Sequence, residues 1–155
     1  MFTYTEFSKF GKKLLSDSIN FERYPGLYYV TYPQYSFTVP DGEETIRISR
    51  APKTSNDDGM KFWLASEWLA GWHGKEELFS SYITDSAFEK ITEDEMNFEI
   101  VTQCSGLISP PPLPVIGGQE FIGALMMYSL KTEFIISIFA EYTNEYLHFY
   151  WDTTA

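Results

Sequence analysis

The side chains suited to chemistry in this 155-residue chain are few: two histidines, one cysteine and some clustered carboxylates. Nucleophilic catalysis needs a thiol or hydroxyl beside a base. Cys104, in QCSGL, could form a thiol dyad with His73 or His148. No spacing signature accompanies it, and its place at the end of an expected strand suits a small buried hydrophobe. His148 lies between Tyr146 and Tyr150 in a strand-like run, and His73, between Trp72 and Gly74, reads as a turn residue. Neither histidine has a partner at metal-ligand spacing.

The carboxylates are no better placed for a cation. NDDGM lacks the spaced oxygen ligands and distant glutamate of a calcium loop, and in ITEDEMNFE the side chains of Glu93, Asp94 and Glu95 diverge on any regular backbone. Gly117-Gly118 is not followed by the lysine and hydroxyl residue of a phosphate-binding loop. The sequence therefore predicts no catalytic residue, no metal and no cofactor.

Charge carries more information. The net charge is -11, and it is unevenly distributed. Residues 1–75 hold nine acids and nine bases, whereas residues 76–155 hold thirteen acids and two bases. Such a field repels nucleic acid and anionic lipid and attracts a basic protein. The ordinary alternative is acidity that serves only solubility. With aromatics at 18% the chain has ample material for a core, and its length fits a single domain over residues 1–155. One cysteine excludes an internal disulfide. MFTYTEFSKF lacks a basic leader and an apolar stretch, so a cytoplasmic location is expected. The uncharged run Phe134–Ala140 is far too short to span a bilayer.

The elements that must position these groups follow from periodicity. Thr3, Glu6, Phe2 and Phe7 make a helix-start signature, predicting a helix to about Ser16 with Phe7, Phe10 and Leu14 buried. LYYVTY, YSFTV and the segment around Thr45–Ile48 read as strands, the last two joined by the turn PDGEE. KFWLASEWLAGW is predicted to pass from strand into helix, KEELFSSYI and DSAFEKI to be short helices, and EMNFEIVTQ to be a strand. EFIGALMMYSL, EFIISIFAEY and YLHFYW should form a C-terminal three-stranded meander. The predicted class is α+β, mainly an antiparallel sheet with an N-terminal helix and short helices in the middle. SPPPLPVIGG has the prolines of a polyproline ligand but no flanking base, and reads as a rigid connection.

An acidic surface studded with tyrosine and tryptophan suits binding a basic protein, because aromatic anchors desolvate at low entropic cost while carboxylates neutralise cations. In size, in the acidic ITEDEMNFE, in the aromatic strands EFIISIFAEY and YLHFYW, and in its lack of catalytic machinery, the chain resembles the small acidic immunity proteins that bacteria make against nuclease toxins. The resemblance implies a basic toxin domain as partner. The expected contact residues are Glu93, Asp94, Glu95 and Glu99, with Glu76, Glu77 and Asp85 nearby and Trp72 or Tyr82 as anchors. The competing expectation is a small-ligand-binding or enzymatic α+β domain whose aromatics line a pocket.

Overall fold

The structure, a computed structural model, describes residues 1–3, 5–7, 24–72, 74–129 and 134–154. The predicted N-terminal helix beyond Phe7 and the turn at His73 lie outside these residues. Six strands make one antiparallel sheet in the order β1-β2-β6-β5-β4-β3: β1 Tyr28–Tyr32, β2 Glu44–Pro52, β3 Ser86–Ile91, β4 Phe121–Ser129, β5 Ile135–Tyr142 and β6 Glu145–Thr153. The protein is α+β, with the C-terminal meander as predicted.

The apolar excess of β5 and β6 has a simple cause, because helices cover both faces of the sheet. Alternate residues enter two separate cores. On one face Phe139 and Tyr146 pack with Phe2, Phe7, Phe62 and Trp63. On the other Ile138, Ala140, Leu147 and Phe149 pack with Ile46, Ile48, Met96 and Ile100. The first core is tiled with aromatic rings, Trp63 meeting Phe7 and Phe88 edge-on at 5.3 and 5.0 Å. At the N-terminus Thr3 and Glu6 exchange the predicted reciprocal capping bonds, at 3.2 and 3.0 Å, and Phe2 meets Phe7 at 6.2 Å.

Four local expectations are corrected. KFWLASEWLAGW contains no strand: helix α1 runs Met60–Glu67 and passes into a π turn, Trp68–Trp72. The deciding groups lie in the polar loop before it. Asp57 accepts from the amides of Gly59, Lys61 and Phe62, each at 3.1 Å, and Asp58 from that of Met60 at 3.2 Å. The NDDGM carboxylates thus satisfy the orphan donors of a helix start. The carbonyl of Leu69 in the π turn accepts instead from the Arg47 guanidinium.

DSAFEKI, expected helical after α2 (Glu76–Thr84), is the edge strand β3. Pairing with β4 sends Phe88 into the aromatic core, and this tertiary gain overrides the helix propensity of Ala, Glu and Lys. EMNFEIVTQ, expected as a strand, lies within helix α3, Glu93–Cys104, where Met96, Ile100 and Cys104 recur at four-residue intervals on the buried side. YSFTV is not a ladder strand either. A 3-10 turn at Gln34–Ser36 delivers Phe37 into the α3-side core through a single bridge to Leu107.

Gly59 begins α1 at φ 105°, the left-handed region, and a Cβ there would overlap the Phe139 ring. Gly59→Ala is expected to cost roughly 2 kcal/mol or more, from backbone strain and overpacking together. The readout is a lower urea midpoint at unchanged m-value; an unshifted midpoint would mean that the ring yields freely.

Candidate functional site: an acidic aromatic groove

Helix α3 starts at a capping box. Thr92 Oγ1 accepts from the Glu95 amide at 3.1 Å, and Glu95 Oε1 accepts from the Thr92 amide at 3.3 Å. With Met96, Ile100 and Cys104 turned into the core, the helix presents Asp94, Glu95, Phe98 and Glu99 along the sheet edge. Opposite them stand Glu89 and Ile91 of β3 and Met126 and Tyr128 of β4, which share a sheet face because the register sets Glu89 against Met126 and Ile91 against Ala124. Between them lies an open groove of about 410 Å3, with an apolar floor, aromatic residues and four carboxylates. Phe98 is 70% exposed and Tyr128 47%. Both are large apolar surfaces left in water beside charge.

Among the described residues, the charge in this groove has no ion-pair partner. Glu141 and Glu145, by contrast, are neutralised by bases from the first half of the chain, Lys53 at 3.2 Å and Arg50 at 2.9 Å. Among the described residues no ion pair involves Glu89, Asp94, Glu95 or Glu99. Tyr128 registers their field: partial burial first, then the adjacent Glu89 carboxylate and the charges of Glu99 and Glu95, raise its phenol above the ordinary tyrosine range. Glu93, one position from the groove lining, acts likewise on Tyr142, whose phenol is pushed up to about 12 by burial first and by Glu93 second.

The other expected contact residues lie elsewhere. Glu76 and Glu77 are exposed in the first turn of α2, where their charge favours the helix start. Asp85 follows α2 at its C-terminal end. That helix packs on the opposite face of the sheet from α3. Tyr82 is buried with its hydroxyl donated to Glu67 at 3.0 Å, and Trp72 stacks on it at 4.5 Å. The structure thus brings together Asp94, Glu95 and Glu99, and adds Glu89, Ile91, Phe98, Met126 and Tyr128. The signal for the added residues was present in the sequence as Thr92-x-x-Glu95 ahead of Met96, the same pattern that marks the N-terminus. Reading it would have put Asp94 and Phe98, and Glu95 and Glu99, one turn apart on a single face.

A second polar cluster superficially resembles a nucleophile with its base. Ser137 Oγ lies 3.1 Å from His148 Nε2, which lies 3.0 Å from Glu67 Oε1, and Ser137 donates to the same carboxylate oxygen. A serine relay uses both imidazole nitrogens, one toward the hydroxyl and one toward the carboxylate. Here both partners meet at Nε2, while Nδ1 has no hydrogen-bond partner among the described residues. All three residues are wholly buried. Their geometry ties α1 to β5 and β6. Cys104 is also buried, which raises its thiol to about 11 and keeps it protonated at neutral pH. Among the described residues no cluster could hold a metal ion, and no helix is long and apolar enough to cross a membrane.

Two outcomes test these assignments. Glu67→Ala leaves buried partners uncompensated and is expected to cost about 3–5 kcal/mol in urea unfolding, whereas Ser137→Ala should cost about 1 kcal/mol; equal losses would refute a network centred on Glu67. In the groove, NMR titration of Tyr128 should give a raised pKa that falls in Glu89→Gln. Because the folded value lies above the unfolded one, the stabilisation is complete below the unfolded pKa and is lost as pH rises through the folded value. No protein-family model matches the chain, nor does any curated protein or solved structure, so the reading of this groove rests on its own geometry.

Proposed function

We infer that the protein is a binding protein whose groove between α3 and the β3–β4 edge captures a basic segment of another protein. The observation that supports this is the meeting of four carboxylates, unpaired among the described residues, with exposed Phe98 and Tyr128 in one open groove. An apolar floor lined by acids suits a segment with lysine or arginine flanking an aliphatic or aromatic side chain. Arginine fits doubly, since its guanidinium can stack on Phe98 or Tyr128 while donating to Asp94 or Glu99. The segment's apolar side chain would cover Ile91 and Met126.

In its finer form the reading is an immunity function: a toxin domain, most naturally a nuclease, is held through the basic face that its own polyanionic substrate would occupy. Carboxylates along a helix reproduce the sign of a phosphate row, and the surrounding field speeds encounter.

The test uses a fluorescent peptide carrying alternating Lys/Arg and Leu/Trp, titrated into the full chain at several salt concentrations. Binding should weaken about tenfold or more between about 50 and 200 mM salt. Asp94→Lys with Glu99→Lys should abolish it, and Phe98→Ala should weaken it about tenfold at every salt concentration. Glu95 is left intact because it caps the helix. For the finer reading, cells co-expressing a basic nuclease toxin should survive with the wild-type chain and die with the doubly reversed variant. Peptide binding indifferent to salt and to both charge reversals would sink the groove as the site.

A further inference from the structure

At the end of the sheet opposite the groove, β1 is the terminal strand, and none of the described residues pairs with its outer edge. Its sequence is YYVTY, without charge or proline. Tyr28, Tyr29 and Val30 are 50%, 50% and 52% exposed. Natural edge strands are ordinarily blunted by lysine, proline or a bulge, because a bare row of amides and carbonyls is a template for another strand. The other terminal strand, β3, does carry such charges, Glu89 and Lys90. Two of the three tyrosines of β1 lie under arginines. Arg47 lies 3.5 Å from the ring centre of Tyr29, and Arg50 5.7 Å from that of Tyr28, so little side-chain freedom remains to be lost on association.

We propose that β1 is a homodimerisation edge, pairing antiparallel with β1 of a second copy about a two-fold axis at Val30 to give a continuous twelve-stranded sheet. Antiparallel pairing about Val30 sets each Tyr28 against Tyr32 of the second copy and each Tyr29 against Thr31, aromatic and β-branched pairs of the kind that stabilise ladders. β1 itself brings no charged side chain to that register. The occupant follows from the distribution of charge. Through β3 or α3, two copies would bring their uncompensated carboxylates together, whereas joining through β1 separates the acidic edges by eleven strand spacings, roughly 50 Å. That is several times the screening length of about 8 Å at physiological salt. A strongly acidic chain can therefore self-associate at this edge without working against its own field, and both grooves stay open. Pairing of five-residue strands buries little area, so the dimer belongs to the weak, reversible class.

Sedimentation velocity of the full chain tests this. The wild type should shift toward twice the chain mass as its concentration rises to about 100 µM. Val30→Lys and Val30→Glu each place like charges face to face on the axis, and each alone should weaken the dimer at least tenfold. Mixed in equal amounts, the two variants should recover it, because lysine then meets glutamate. Circular dichroism matching the wild type confirms that both variants fold, as expected at an exposed position. A wild type that stays monomeric even at about 1 mM, or a dimer that both single variants leave intact, overturns the proposal.

Discussion

The fold depends on covering both faces of the β5–β6 hairpin. Ile138 and Phe149 stand opposite one another and enter the α3-side core, while Phe139 and Tyr146 enter the core under α1. Every other layer can be read as a response to that demand. One face is covered by an aromatic helix and the N-terminal residues, and the other by a helix whose only apolar service is Met96, Ile100 and Cys104. Burying a large apolar side chain stabilises by roughly 1.5–3 kcal/mol, so a hairpin saturated with such residues sets the position of whatever lies against it. The polar contact inside the first core, Glu67 with His148 and Ser137, then joins α1 to β5 and β6 at one buried point.

Which parts of this were legible in the sequence follows from the range of the forces involved. The meander is written in period-two alternation and in the turn residues Thr143-Asn144, and these local signals agree with the long-range pairing. The capping boxes are also local, and the one at Thr3 was as readable as the one at Thr92. The second was obscured because Met96, Phe98 and Ile100 alternate as a strand would, although Phe98 ends in solvent while the other two are buried. β3 was not readable at all from its own residues. Its helix formers adopt an extended form only because β4, over thirty positions later, offers an edge and the aromatic core accepts Phe88. The fate of NDDGM was hidden for a related reason: clustered carboxylates look alike whether they face a cation or the amides of the next helix.

The same distinction explains why the candidate site was only half visible. The imbalance between the two halves of the chain could be counted from composition, but not which acids would be answered. Lys53 and Arg50, from the neutral first half, cross to β5 and β6 and cancel Glu141 and Glu145. After that cancellation much of the excess sits on α2 and around α3, on opposite faces of the sheet. Among the described residues, the carboxylates around α3 share a groove with Ile91, Phe98 and Met126. Charge on a solvated helix start is screened and worth little in binding, whereas charge beside Phe98, Tyr128 and Met126 acts partly shielded from water once a ligand covers it.

Sequential charge segregation therefore becomes spatial segregation through topology. Because β6 inserts between β2 and β5, the neutral first half supplies the strands at one end of the sheet and the acidic middle of the chain supplies the other end. An ordering that placed β1 beside β3 would have set uncharged tyrosines against unanswered glutamates and left neither edge chemically distinct. As built, one end offers hydrogen-bonding backbone without charge, and the other offers charge with apolar contact. These are the chemistries that suit the two proposed partners, an uncharged strand and a cationic side chain, and occupancy of one end would leave the field at the other nearly unchanged, since about 24 Å of protein separates β1 from β3.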